Sequence, residues 1–337
     1  MASQVDQVAA AVTAAYIARQ RRLAMTLTRD LILLVRQVFT PGEAGASWAA
    51  TKMQLESLIR ARRQLSADLA ARYYVDLRWV SLNPQQAPHL RPEATAKLPE
   101  TRRPPAREVL KSAPQASRRS STPLEPAAEL EDLADALGLD DLSETQAWAE
   151  LERIAPAQPE DLDADRLDAN LNATGIASYK RALRAGQTPD RAVDTMAVNL
   201  AGSATTLTLE GGREVIRDSA DADDEAIGWL RVPDADPCSW CAMLASRGAV
   251  YRSEQTAGRA KNDQFTGEGQ FKWHDQCGCT AIPVFDPDDP HLRAAEDLYD
   301  QWLRETQGHS GNNAVNAWRR YWENRDQFQS AAESNAG

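Results

Sequence analysis

Apolar positions in the first eighty residues return at helical spacing. Val5, Val8 and Val12, then Leu27, Leu31, Leu34 and Val38, recur at steps of three and four, which predicts one long helix over 4–39. Pro41-Gly42-Glu-Ala-Gly45 breaks it. A second helix is expected from about 47 to 77, with Leu55, Leu58, Leu65, Leu69 and Tyr73 on one face. Two long amphipathic helices joined by a short loop form an antiparallel hairpin, here residues 1–79.

The pattern then fails. Pro84, Pro88, Pro92, Pro99, Pro104, Pro105, Pro114 and Pro123 interrupt any helix over 80–124, and Arg102-Arg103 and Arg118-Arg119 keep the stretch basic. It reads as an extended linker or arm. Over 125–170 the charge reverses, with fifteen acidic residues against Arg153 and Arg166. Leu130, Leu133, Leu137, Leu139 and Leu142 predict short amphipathic helices there, on a solvated acidic face.

Periodicity resumes at 172–186, and Thr188-Pro189 supplies a cap followed by proline at the first helical position. Val193, Met196 and Leu200 continue a buried stripe, which Gly202 and Gly211-Gly212 are expected to bend or end. Asp218, Asp221, Asp223 and Asp224 read as a solvated acidic loop. Residues 227–232, 249–251 and 280–285 read as short strands, with Pro283 favouring a sheet edge. Two closing helices, about 291–306 and 313–331, carry Leu298, Trp302 and Leu303, then Val315, Trp318 and Trp322, as core or as a docking stripe.

Composition narrows the function. At 337 residues and 42% hydrophobic content the chain can bury two modest cores. A net charge of −11 argues against coating nucleic acid over the whole surface, although the hairpin is locally basic, with arginines at 19, 21, 22, 29, 36, 60, 62, 63, 72 and 78. These could sit on a solvated face or touch an acidic partner or packaged DNA. No run of about twenty apolar residues exists to span a membrane. Met1-Ala-Ser-Gln-Val-Asp lacks the basic start of a secretory signal, so a reducing compartment is expected.

All four cysteines fall between 238 and 279, as Cys238-Ser-Trp-Cys241 and His274-Asp-Gln-Cys277-Gly-Cys279. Two short-spaced groups of thiols, with a histidine in range, are what a tetrahedral zinc requires. Five candidates compete for four places, so either His274 or Cys279 completes the set and the other lies behind it. Disulfides, or cysteines that are simply free and buried, are the competing readings. Trp240 and Trp273 are expected to cover the metal with apolar surface.

The same stretch carries a resemblance. Asp236 to Tyr251 and Trp273 to Phe285, with the upstream runs Asn199–Arg213 and Ile227–Val232, resemble the MuF-like minor head (head morphogenesis) proteins of tailed bacteriophages, especially those of actinobacteria. The likeness covers about 170–290. It implies a virion protein inside the capsid near the portal, present in host cytoplasm during assembly. Its implied partners are the portal protein and the major capsid protein, and its implied task is to assist head assembly and DNA packaging or ejection.

Taken together, the chain is expected to be mainly α, with a small zinc-stabilised α+β domain over 171–290, a long N-terminal hairpin, an extended arm, and C-terminal helices over 291–337. A structural rather than catalytic role is expected. Pro237-Cys238-Ser-Trp-Cys241 matches half of the zinc deaminase signature, but no His-x-Glu accompanies it. There is no His-Glu-x-x-His, phosphate loop or Gly-x-Ser-x-Gly elbow, and His291 and His309 stand without catalytic partners. The rival classes are a zinc-dependent enzyme and a DNA-binding internal head protein.

Overall fold

In a computed structural model, the chain is described over residues 4–86, 144–155, 161–233, 237–248, 250–251 and 277–325. The first helix, α1, runs Gln4–Val38 and the second, α2, runs Ala44–Leu82, joined by a single 3-10 turn at Pro41–Glu43. At about 1.5 Å per residue each is roughly 50–60 Å long. Most of the proline-rich arm over 80–124 and most of the acidic stretch over 125–170 lie outside the described residues.

Further along, α3 (Glu144–Ile154), α4 (Ala164–Thr174) and α5 (Ile176–Arg184) are short, and α6 (Pro189–Ala222) is a third long helix. Thr188 caps α6 by accepting the Arg191 N–H, with Pro189 at its first turn. Residues 172–186 are not one helix, as the periodicity suggested. Gly175 separates α4 from α5, and a Cβ there would lie 2.0 Å from the Trp48 ring, so only glycine lets the chain turn beneath that indole.

The three long helices form one bundle with two apolar halves. Leu27, Leu31 and Val35 of α1 meet Leu55 and Ile59 of α2 and Met196, Leu200 and Leu207 of α6 in one half. Val8, Val12 and Tyr16 meet Ala67, Ala70, Tyr73 and Tyr74, and Val215 and Ile216, in the other. Hence α6 runs parallel to α2 and antiparallel to α1. In its second half α2 buries Ser66, Ala67, Ala70 and Ala71 more deeply than Leu65 and Leu69, because small residues let α6 approach.

A polar belt separates the halves. Gln20 Nε2 donates to the Ser66 carbonyl at 2.9 Å, Ser66 Oγ donates to Gln20 Oε1 at 2.8 Å, and Gly212 N donates to Ser66 Oγ at 3.2 Å. Arg63 donates to the Leu207 carbonyl at 3.0 Å and pairs with Glu214. The glycines expected to break α6 sit inside this continuous helix. A Cβ at Gly211 would be 2.6 Å from the Arg63 carbonyl oxygen, and one at Gly212 would be 2.7 Å from that of Ser66. Close approach of two backbones, not a bend, explains them. Gly211→Ala should therefore destabilise by about 1–3 kcal/mol despite the better helix propensity of alanine, read as a lower denaturation midpoint.

The acidic run at the end of α6 is only partly solvated. Asp223 is buried, accepting Tyr74 Oη at 3.1 Å and Arg78 Nε at 2.7 Å. Proximity in the fold decided this, since sequence alone places no cation near Asp223.

A three-stranded antiparallel sheet closes the second half of the bundle, in the order β2 (Val250–Tyr251), β1 (Gly228–Val232), β3 (Thr280–Val284). Trp229 pairs with Pro283 and Arg231 with Ala281, and among the described residues β3, with its proline, is an edge as expected. Trp229, Leu230, Ile282 and Val284 join Tyr74, Val75 and Ile216, so sheet and hairpin share one core.

Between β1 and β2 lies α7 (Ser239–Ala245), and after β3 come α8 (Pro290–Glu305) and α9 (Gly311–Glu323). Trp302, Trp318 and Trp322 pack with Ala242, Met243 and Leu244 of α7, so the stripe is core. Leu303 is 48% exposed and does not line it. No helix of the described residues is long and apolar enough to cross a membrane.

Candidate metal centre

The sheet register brings the two cysteine groups together. Cys277-Gly-Cys279 leads directly into β3, and α7 follows β1, the central partner of β3. Cys241, Cys277 and Cys279 are all buried, and their sulfurs lie within 4.8 Å of one another. Cys241 Sγ and Cys277 Sγ are 3.5 Å apart, far beyond the roughly 2.05 Å of a disulfide. Tetrahedral zinc with bonds of about 2.3 Å sets its sulfurs roughly 3.8 Å apart, so the spacing suits that ion.

Cys238 is exposed and opens α7 as its N-cap, its sulfur accepting the Cys241 N–H at 3.4 Å. His274 lies outside the described residues, as does Trp273. Trp240, expected to cover the metal, is 36% exposed. The first knuckle is instead held from the C-terminal pair. Trp318 Nε1 donates to the Ser239 carbonyl at 2.8 Å, and Trp322 Nε1 to the Pro237 carbonyl at 2.7 Å.

The second knuckle is held from the bundle. Arg213 of α6 is fully buried and donates to the Cys277 carbonyl at 3.1 Å and to the Cys279 carbonyl at 2.8 and 3.2 Å. Sequence reasoning missed this residue as part of the site. Its one signal was an arginine beside Gly211-Gly212, at a place where the helix stripe is otherwise small and buried. Arg231, also buried, stands across the sheet from Ala281, on the face that strand alternation gives to Cys279.

The thiols respond to this crowding. Hydrogen bonds from Cys241 and Cys279 hold the Cys277 thiol well below the usual range, with Arg213 and Arg231 assisting against burial. Cys241 is pushed up by its contacts with Cys238, Cys277 and Cys279, then by burial. For Cys279 the Cys241 bond pulls downward, but Cys277 and burial outweigh it and raise the thiol to about 12. Without a cation the cluster thus favours one thiolate and resists several. A divalent ion removes that conflict, and soft sulfur donors suit zinc.

Among the described residues His291 takes no part: its Nδ1 lies 3.2 Å from the Asp289 carboxylate at the start of α8. The hairpin arginines are largely engaged within the fold: Arg36 with Asp194, Arg62 with Asp30, Arg78 with Asp223, and Arg60 with the Leu162 carbonyl.

A family model described as "VG15 protein" matches residues 139–305, just under half of the chain. The Gene 15 protein of Mycobacterium phage L5 is 34% identical over 86 residues, covering 18% of this chain and 29% of the relative. The Gene 15 protein of Mycobacterium phage D29 is 32% identical over 96 residues, covering 23% and 35%. The matched stretch thus spans about a third of the length of these curated relatives. No solved structure matches the chain. These similarities indicate a phage protein.

Proposed function

We propose that this phage protein is a structural minor head protein of the MuF-like kind, seated inside the capsid near the portal and assisting head assembly and DNA packaging or ejection. The observation that carries its structural character is the converging buried trio Cys241, Cys277 and Cys279, the last two anchored through their carbonyls by Arg213. Sulfur-rich, enclosed donors suit a zinc whose role is to fold the surrounding chain, whereas catalytic zinc keeps a position for water. Zinc held there would join α6, β3 and the α7 knuckle into one body. The Mycobacterium phage similarities and the MuF-like resemblance over about 170–290 support the virion assignment.

In this reading a bundle of roughly 50 Å presents its outer face to the portal or major capsid protein, with several copies per particle. A DNA-binding role has less support, because many of the hairpin arginines are spent on partners inside the molecule. Both α1 and α2 supply much of the core, so deleting residues 1–124 would disrupt the fold as well as any contact surface.

The test leaves the chain whole. Purified virions should contain the protein in a few copies, cross-linked to the portal protein when a short lysine- or carboxylate-directed reagent is added before DNA release. Absence from intact particles, or cross-links confined to tail proteins, would sink the assignment. Steeply salt-dependent DNA binding by the purified chain would favour the DNA-binding alternative.

A further inference from the structure

We propose that Cys238, not His274, completes the metal centre as a fourth thiolate, and that buried Arg213 and Arg231 set this composition by matching its charge. The inference rests on the metal reading above and names the ligand set that reading leaves open.

The backbone argues first. Cys238 and Cys241 flank one turn at the start of α7, and the N–H of Cys241 points at the Cys238 sulfur at 3.4 Å. This is the geometry in which a Cys-x-x-Cys pair offers two sulfurs to one ion. The indole bonds from Trp318 and Trp322 to the carbonyls of Ser239 and Pro237 hold the backbone on both sides of Cys238. Cys238 thus stands one helical turn from Cys241, a member of the trio, on a turn held from both sides.

Charge argues second. A buried ion is tolerated only when its surroundings neutralise it. Zinc with four thiolates carries a net charge of about −2, and with three thiolates and a neutral imidazole about −1. Arg213 and Arg231 are each 4% exposed and bring two positive charges to the cysteine turn, Arg213 through its bonds to the Cys277 and Cys279 carbonyls. Arg247 lies partly buried near Arg231 and is brought down to about 10, first by burial and then by that neighbour. Of the acidic groups facing Arg213, Glu210 is bonded to Arg166. The two most buried guanidiniums, Arg213 and Arg231, match the charge of a four-thiolate centre; with a histidine in place of one thiolate they would exceed it, and Arg247 adds to that excess.

The full chain is loaded with Co2+ alone, and its d–d bands and sulfur-to-cobalt charge-transfer absorption are read. His274→Ala should leave band positions, intensity and affinity unchanged. Cys238→Ser should lower charge-transfer intensity by about a quarter, one sulfur in four, and weaken Co2+ binding at least about tenfold. Arg213→Met and Arg231→Met should each weaken binding about 10–100-fold without moving the bands, with partial rescue by Arg213→Lys. If His274→Ala shifts the bands while Cys238→Ser does not, the four-thiolate proposal fails and the metal reading stands. Unchanged Co2+ affinity in both arginine variants removes their assigned role. Absence of any cobalt–sulfur absorption in the wild-type chain, and of zinc in the purified protein, overturns the metal reading itself.

Discussion

Replacing Cys277 by serine is expected to empty the centre and release the C-terminal part of the chain while leaving the long bundle folded. Cys277 is a buried member of the trio, its sulfur 3.5 Å from that of Cys241, and hydrogen bonds from Cys241 and Cys279 favour its thiolate. Serine at that place offers a hydroxyl that does not ionise near neutrality and is a poor ligand for zinc. Zinc content should fall from about one equivalent to none by elemental analysis. Structural zinc in small finger peptides supplies about 10–16 kcal/mol of apparent folding energy. The loss here should be smaller, several kcal/mol, because Trp229, Leu230 and Ile282 retain their own packing against α2 and α6.

A strong chelator should reproduce the effect in the wild-type chain. Metal retention should also fall as pH falls, since each protonated thiol is a lost ligand. Limited proteolysis would locate the damage, with new cuts expected between β1 and α9 and protection retained over α1 and α2. Full zinc content in the serine variant, or an unchanged proteolytic pattern after chelation, would contradict the role given to these sulfurs.

Trp318→Ala is expected to have the second largest effect, about 3–5 kcal/mol of stability, together with weaker metal retention. The indole is 1% exposed and packs at a tilt against Trp302, Tyr321 and Trp322, at 5.5, 5.7 and 5.1 Å between ring centroids. Its N–H is spent on the Ser239 carbonyl, inside the first knuckle. Alanine leaves a cavity among three aromatic rings and orphans that carbonyl, so α8 and α9 loosen from α7. Trp318→Phe separates the two terms: it fills most of the space and should cost only about 1–2 kcal/mol, the orphaned carbonyl plus a small void. The check is a chemical denaturation series with and without chelator. If the alanine variant matches wild type in both midpoint and metal affinity, the C-terminal helices are an appendage and not a clamp on the knuckle.

Both predictions join parts of the chain whose relation sequence periodicity shows unevenly. The steps of three and four that place Leu27, Leu31, Leu55 and Ile59 inside were visible, because a helix buries a face and its period is local. The two strands flanking the cysteine region were visible for the same reason, and Pro283 correctly marked an edge. The glycines of α6 were misread as breaks. A glycine pair means a bend or a close approach, and only the position of the Arg63 and Ser66 carbonyls tells which. Asp223 was misread as solvated, since a carboxylate in an acidic run looks exposed until Arg78 and Tyr74 arrive from 145 and 149 residues away.

Sequence by itself determined the helix period, the strand positions and the donor chemistry: soft sulfurs in two short-spaced groups, each legible because spacing within one turn is a local property. Tertiary structure alone decided that Cys241, Cys277 and Cys279 converge, that Cys238 stands at the N-cap beside them, and that Arg213 holds one knuckle and the Trp318–Trp322 pair the other. Those relations span from roughly forty to more than eighty residues of chain. Separations of that size are set by packing the bundle against the sheet, not by any preference of the residues in between.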